Sequence, residues 1–364
     1  MHVTVATETL QQKLELVARV STKHVTLPVL QCVLLEVNKK EITIKATNLE
    51  IGIEATISGS IEEEGVVAVP AVTLIQTINL HTQKEVTLRV EEGSLVVEGK
   101  ESTTQIKTIP HDEFPTIPRL TTDPQVVNGA QFALGIKTVV FAASQSSIKP
   151  ELGSVYIFQK KEHSLTFVAT DSFRLMEKTV TQPNVALDDS LLIPQKNALE
   201  IMRMLESVSE DPKLQVDENQ CAFMFGDDLY ITSRLTSGSF PDYNQIIPKE
   251  YVTHSTVLRK DLIHAFKKSN IFLNKFMQVG LIVTSDALTV SATSGEVGAT
   301  TESIAASTKG EDITLNFNQR YVAESLNHFV DDSVVLHFAG IGRPMVIEGV
   351  NDTSTRYLVM PMNK

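Results

Sequence analysis

The chain has no tryptophan, only two cysteines, fewer basic than acidic residues and no long uninterrupted apolar run. Each shortage removes a class of protein. Cys32 and Cys221 lie 189 residues apart in apolar, strand-like contexts, with neither a CxxC nor a metal-ligand spacing. A disulfide-stapled scaffold and a zinc module are therefore excluded, and two buried free thiols are expected. The longest apolar stretch, residues 25–37, is interrupted by Thr26, Pro28 and Gln31, which excludes a membrane-spanning helix. The opening MHVTVATETLQQ lacks the basic start and apolar run of a secretory leader. A cytoplasmic location without a membrane partner is expected, and the sequon Asn351-Asp352-Thr353 carries no meaning there. Catalytic patterns are missing too. The nine histidines show no HxxxH or HxH spacing, and GxSxG and GxGxxG are absent. Gly93 to Lys100 imitates a phosphate loop, but five residues separate its glycines where four are needed, and Glu101 replaces the hydroxyl residue. No cofactor, no metal and no enzymatic activity are expected.

What the chain does have is one pattern three times. Residues 27–54, 151–178 and 275–302 each read as strand, polar turn and strand, and Thr47, Thr170 and Thr293 recur at a spacing of 123 residues. Residues 66–80, 189–205 and 313–329 then read as a short apolar strand turning into an amphipathic segment, with Pro70, Pro194 and Asn318 at the turn. A strand pair follows, for example 86–90 with 95–98 across Glu92-Gly93-Ser94. Phe114-Pro115 and Phe240-Pro241 close the first two copies, and Met360-Pro361-Met362 closes the third. A period of this length is one small domain, not a solenoid unit. The expectation is an α+β chain of three repeated domains, 1–124, 125–249 and 250–364, each with two helices and antiparallel sheet. With 364 residues, 42% hydrophobic and 21% charged, the chain can bury two or three cores.

A formal net charge of −12 opposes nucleic-acid binding unless the bases are segregated onto one surface. Helical spacing allows some segregation. Segment 8–20 opens at Thr7 as an N-cap and turns Leu10, Leu14, Val17 and Ala18 inward, leaving Lys13 and Arg19 outside. Segment 129–145 turns Phe132, Ile136, Val139, Val140 and Ala143 inward and Lys137 outward. Segment 258–272 turns Leu258, Leu262, Ala265, Phe266 and Ile271 inward and exposes Arg259, Lys260, Lys267 and Lys268. Lys196, Arg203 and Arg320 lie on the second-half helices, whereas acids crowd the turns at 62–64, 91–92, 188–189, 217–218, 227–228 and 331–332. Helices also carry Glu8, Glu15, Glu200 and Asp261, so any single lysine reads as part of a solvated helix face. Asp171, with Asn48 and Ser294 at the equivalent positions, reads as a turn-stabilising residue and not as a catalytic acid.

Four motifs together carry a resemblance. Thr26-Leu27-Pro28-Val29-Leu30, Val168-Ala169-Thr170-Asp171-Ser172-Phe173-Arg174-Leu175, Phe240-Pro241-Asp242-Tyr243 and Tyr357-Leu358-Val359-Met360-Pro361-Met362 resemble, in order and spacing, the β subunits of bacterial DNA polymerase III, the sliding-clamp family. The resemblance implies three clamp domains per chain and a head-to-tail dimeric ring, with helices lining the hole and sheets outside. It implies a processivity factor that encircles duplex DNA without reading its sequence. The implied partners are duplex DNA, the polymerase III catalytic subunit, the clamp loader, other proteins with a clamp-binding motif and a second copy of the chain. By the same resemblance Lys23, His24, Lys137, Gln145, Lys149, Lys196, Arg203, Lys267 and Lys268 face DNA phosphates, with Lys23 the contact where His24 replaces a frequent arginine. Partner peptides enter an apolar cleft at Thr170, Ser172, Phe173, Arg174, Leu175, Pro241, Ile246, Leu358, Val359, Met360, Pro361 and Met362. Methionine and branched aliphatic side chains would anchor them, with Arg174 at the rim. Ser172-Phe173 stands where Gly-His is common, and Asn244-Gln245 where basic residues are, which alters the cleft's peptide preference. The dimer interface falls on Lys100, Thr104, Ile106 and Lys107 against Ile271, Phe272, Leu273, Glu296 and Glu302, with Thr104 and Ile106 packing on Phe272 and Leu273. A three-domain β-rich scaffold or adhesion protein without DNA binding is the alternative.

Overall fold

The computed structural model describes residues 1–21, 26–146 and 148–362, so the expected contacts Lys23 and His24 lie outside the described residues. The first repeat runs β1 (His2–Ala6), α1 (Thr7–Val17), β2 (Cys32–Val37), β3 (Ile42–Thr47), β4 (Ile51–Ile57), β5 (Ser60–Glu63), β6 (Gly65–Pro70), α2 (Ala71–Asn79), β7 (Glu85–Glu91), β8 (Ser94–Glu98) and β9 (Thr103–Lys107). The second runs β10 (Gln125–Val126), α3 (Gly129–Val139), β11 (Ser154–Lys161), β12 (Ser164–Thr170), β13 (Arg174–Thr181), β14 (Leu191–Pro194), α4 (Gln195–Ser207), β15 (Lys213–Val216), β16 (Gln220–Phe225) and β17 (Leu229–Arg234). The third runs β18 (Thr253–Leu258), α5 (Arg259–Ser269), β19 (Gln278–Val283), β20 (Ala287–Ser294), β21 (Gly298–Gly310), β22 (Ile313–Asn318), α6 (Gln319–Ser325), β23 (Ser333–Phe338), β24 (Met345–Gly349) and β25 (Thr355–Val359). Each repeat thus has two helices among antiparallel strands, as its periodicity predicts.

The sheets cross the repeat boundaries. The chain forms two compact units, Met1–Ala133 with Asn184–Ala186 and Lys196–Leu235, and Leu134–Pro183 with Leu187–Gln195 and Thr236–Lys364. The first contains a five-stranded sheet, β5-β1-β7-β8-β9, and an eight-stranded sheet, β10-β15-β16-β17-β4-β3-β2-β6. The second is built on a twelve-stranded sheet, β14-β11-β12-β13-β25-β24-β23-β18-β21-β20-β19-β22. In the first unit the seam between repeats is the antiparallel pair β4 and β17, with Ile51 opposite Ser233 and Gly52 opposite Thr232. In the second it is β13 and β25, with Arg174 opposite Val359 and Leu175 opposite Leu358. Pairing through a seam satisfies backbone groups that would otherwise form an exposed strand edge.

Helix packing follows the 3.6-residue period. Leu10, Leu14 and Val17 are fully buried on one face of α1, which packs on α2 and on β3 and β4. Burial of each such side chain stabilises the unit by roughly 1.5–3 kcal/mol. In the second unit, helix and sheet approach so closely at Gly135 that a Cβ there would lie 2.5 Å from the Phe167 ring. Asn318 caps α6, its side chain accepting from the amides of Arg320 and Tyr321.

Several local expectations fail for identifiable reasons. Thr7 is the first helical residue and not the cap. Ala6 takes the cap position, the Thr7 amide bonds to the Lys84 carbonyl at 2.9 Å, and the buried Thr7 hydroxyl has no partner among the described residues. Ala18 is only half-buried, in a 3-10 turn that follows α1. Leu258 is 43% exposed because it ends β18, where strand alternation after the buried Val257 turns it outward. Ile271 is 65% exposed because α5 stops at Ser269 and a 3-10 turn breaks the helical phase. Arg259 is half-buried, its guanidinium donating to the carbonyls of Asp331 and Leu326.

Cys32 and Cys221 are buried free thiols, with pKa values pushed up by burial to about 11 and about 12. The sheet also unites two histidines that sequence spacing left apart. His254 and His337 face each other on β18 and β23 with their Nδ1 atoms 2.7 Å apart, and burial, then the neighbouring His337, holds His254 below its ordinary pKa. No cluster of three metal-ligating side chains occurs among the described residues.

Candidate partner-binding cleft and nucleic-acid-binding surface

The turn between β12 and β13 is built by its own short side chains. The Thr170 hydroxyl donates to the Arg174 carbonyl at 2.6 Å and accepts from the Ser172 amide, while Asp171 Oδ1 accepts from the amides of Phe173 and Arg174 at 3.0 Å. Asp171 therefore has the turn-stabilising role read from the sequence. This geometry forces Ser172 to a φ of 78°, in the left-handed region where glycine is favoured.

Arg174 is not at a rim. Only 7% of it is exposed. Its Nε donates to Asp171 Oδ2 at 3.0 Å, Nη1 to Glu324 Oε2 at 2.6 Å and Nη2 to the Phe141 carbonyl at 2.9 Å. The guanidinium carbon lies 4.4 Å from the Tyr321 ring centroid and 5.3 Å from that of Phe141. Burial opposes its charge, but the hydrogen bond to Glu324 and the facing charges outweigh that, so its pKa lies above the ordinary value. Burial pushes Glu324 up, but hydrogen bonds from Arg320 and Arg174 pull harder and leave it below the usual carboxylate range. A charge this deep is tolerated because all three guanidinium nitrogens donate hydrogen bonds, two of them to carboxylates.

The other cleft residues sort by depth. Leu175 and Leu358 are buried in one cluster with Val168, Tyr243 and Val346, whereas Val359, fully buried and opposite Arg174, lies on the other face of the sheet by strand alternation. Leu175 and Leu358 offer little free anchor surface, because Tyr243 and the half-buried Phe240, Ile247 and Met360 pack against their cluster. Thr170 is buried as well. The accessible members are Ser172, Phe173 at 61% exposure, Pro241 and Ile246 at 48%. Met360, Pro361 and Met362 are half-buried, and the Met360 amide donates to the Phe173 carbonyl and that of Met362 to the Asn316 carbonyl, each at 2.8 Å. Sequence reading missed Phe141, Tyr321 and Glu324, the groups that hold Arg174, because each is remote from it in the chain.

The residues that the resemblance turns toward DNA differ in exposure and pairing. Lys137, Gln145, Lys149, Lys196 and Lys267 are exposed. Arg203 is exposed and paired with Glu200, and Lys268 is tied to Glu302 at 2.9 Å. Arg19 lines a groove of about 480 Å³ with Arg203, Glu200, Glu206 and Ser207.

The expected interface residues fall on or beside two strand edges. Strand β9 ends its sheet, with Thr104, Lys100 and Lys107 exposed, but Ile106 is 5% exposed and already packs inside its own unit. Alternation along β9 turns Ile106 inward, so it is not available to Phe272 and Leu273. In the third repeat, residues 298–305 of β21 pair with β20, and β18 pairs only with 306–310, leaving one edge of the first half open among the described residues. Ile271 and Glu296 are exposed beside it, and Phe272 and Leu273 are half-buried.

Family models of the DNA polymerase III beta subunit match the chain in order, the N-terminal domain over residues 1–118, the central domain over 126–242 and the C-terminal domain over 244–363. The chain is 27% identical to the beta sliding clamp of Haemophilus influenzae, covering 100% of both proteins, and 26% identical to that of Synechococcus elongatus, covering 97% of this chain and 96% of that protein. Its fold is similar to the crystal structure of the Pseudomonas aeruginosa sliding clamp bound to griselimycin, with a TM-score of 0.92, 25% identity and 100% of each chain covered. An adhesion or scaffold protein has no support from these likenesses, and the chain belongs to the family of DNA polymerase III beta subunits, the bacterial sliding clamps.

Proposed function

We propose that the protein is a DNA sliding clamp, a non-catalytic processivity factor that works as a head-to-tail ring of two copies in the cytoplasm. The observation that carries this reading is the ordered match of three successive clamp-domain models across the whole chain. Domain boundaries at 1–124, 125–249 and 250–364 fit the repeat of the turn threonines. Ring closure joins the free edge of β9 in one copy to the open half-edge of β21 in the other, with Ile271, Phe272 and Leu273 supplying apolar surface and Lys100 or Lys107 facing Glu296. Lys137, Gln145, Lys149, Lys196 and Lys267 then meet DNA phosphates, joined by Arg203 and Lys268 once their carboxylate partners yield. Such contacts fix no register on the bases, so binding is weak, salt-sensitive and compatible with sliding, and retention comes from ring closure.

Replicative polymerase, clamp loader and other partners insert a short peptide over the floor formed by Leu175 and Leu358. Phe173, Ile246, Met360 and Met362 are its accessible walls. Two observations support this cleft: apolar side chains exposed beside a buried apolar floor, and a peptide-like chain end already hydrogen-bonded along its side. The test is the native mass together with retention on circular, but not linearised, DNA. A two-chain particle that stays on circles and slips off linear ends is expected. A monomer, or equal retention on both, would reject the clamp.

A further inference from the structure

The seam of the first unit repeats the cleft geometry of the second, and it is open. By strand register Thr47, Leu49, Glu50, Ile51 and Gly52 take the places of Thr170, Ser172, Phe173, Arg174 and Leu175, and Arg234 takes that of Met360. The bond from the Met360 amide to the Phe173 carbonyl has its counterpart from Arg234 to Glu50, also 2.8 Å. The linker plug recurs as well. Ile117 sits where a Cβ on Gly52 would meet it at 2.8 Å and is buried with Ala222 and Tyr230, as Tyr243 is buried with Leu175 and Leu358.

Beside that plug a cavity of about 290 Å³ remains, whose lining includes the apolar Leu49, Ile51, Pro115 and Pro118 and the charged Glu50 and Arg234. Leu49 is 40% exposed. Arg234 and Glu50 are exposed neighbours joined through their backbones, yet their side chains form no ion pair with each other or with any other described residue. A pocket with room for one aliphatic side chain and an uncommitted guanidinium beside it complements an apolar residue next to a carboxylate. Glu50 sets the polarity by favouring the peptide's amide donors on its own side.

We propose that this seam is a second peptide-docking site, taking an extended segment with a leucine-sized side chain adjacent to Asp or Glu. The volume lies at the small end of ligand pockets, roughly 300 Å³, which limits the site to one anchor and one acid. The assignment rests on the first unit's own geometry and stands apart from occupancy of the second unit's cleft.

Intact protein with ¹³C-labelled Ile and Leu methyl groups would be titrated with acetyl-Leu-Asp-Leu-amide and, in parallel, acetyl-Leu-Asn-Leu-amide. The acidic peptide should move the Leu49 and Ile51 resonances. Binding should weaken at least ~10-fold with the Asn peptide and with Arg234→Gln, equivalent to about 1.4 kcal/mol, and recover in part with Arg234→Lys. Preserved methyl dispersion certifies the folded variants, and the Asn peptide tests the same contact on the unaltered protein. Shifts confined to Leu175 and Leu358, shifts at Leu49 and Ile51 indifferent to Arg234→Gln, or no shift at millimolar peptide would each overturn the proposal.

Discussion

The chain makes one turn twice, at Thr47 in the first unit and at Thr170 in the second, and the two copies differ in the residue that each turn buries. In both, the threonine hydroxyl donates to the carbonyl four residues on, the next side chain (Asn48 or Asp171) accepts two amides, and the third residue is left-handed, with φ of 77° at Leu49 and 78° at Ser172. The first turn then buries Ile51, the second Arg174. A hydrocarbon needs only to be covered, whereas a buried guanidinium needs committed partners, and these come from Asp171, Phe141 and Glu324. The difference shows how a duplicated turn can stay constant in its backbone, and serve a seam between repeats in both copies, while one seam buries a hydrocarbon and the other a charge.

The comparison breaks most visibly when the two buried residues are trimmed. Arg174→Ala leaves Asp171 and Glu324 facing a void and should cost about 3 kcal/mol, while Ile51→Val should cost about 1 kcal/mol. Urea unfolding followed by circular dichroism measures both, since the chain lacks the tryptophan a fluorescence assay would use. Equal costs would mean that the Arg174 network adds nothing beyond packing. Acid sharpens the test. Glu324 is held below its ordinary value of 4.5, so its contribution is complete above about pH 4.5 and is lost as the pH falls through the depressed folded value. The stability gap between wild type and Arg174→Ala should therefore narrow on acidification, and a gap that widens would contradict the pairing.

A smaller effect comes from the chain end. Removing residues from Met360 onward deletes the bond to Phe173 and the half-buried Met360 and Met362, whereas the equivalent Arg234 is held in mid-chain. Each lost anchor is worth roughly 1.5–3 kcal/mol, so a polymerase-derived peptide should bind the truncated chain at least ~10-fold more weakly by fluorescence anisotropy, with dimerisation intact. Undiminished affinity would make Met360, Pro361 and Met362 purely structural. The smallest change is at the left-handed residues. Ser172→Gly should raise stability by up to about 1 kcal/mol, the relief of left-handed strain exceeding the entropy that glycine adds to the unfolded chain. Leu49→Gly should gain less, because it also forfeits the apolar contact of a half-covered leucine. A larger gain at Leu49 would show that its side chain contributes no packing.

Much of the fold was legible in the sequence because it is local. The 123-residue repeat, the Thr-Asx turns, the faces of α1 and α3 and the hairpin of β7 and β8 all depend on residues within a few positions of one another. The misreadings came where local periodicity met a boundary. Leu258 sits at the change from strand to helix and Ile271 at the end of α5, so each obeys a different period from the one assumed. Ile106 was misplaced because the burying side of an edge strand depends on which sheet it joins.

By itself, then, the sequence determined three copies of an α+β unit, buried thiols without disulfides, and the turn chemistry, since hydrogen bonds across two to four residues and side-chain periodicity need no distant partner. Only the tertiary structure decided that β4 pairs with β17 and β13 with β25, which sets the depth of Arg174, the floor under Leu358 and the cavity at Arg234. The physical reason is register. A strand's burial pattern and its neighbours change completely with the residue it faces, and that residue lies roughly 180 positions away in both seams.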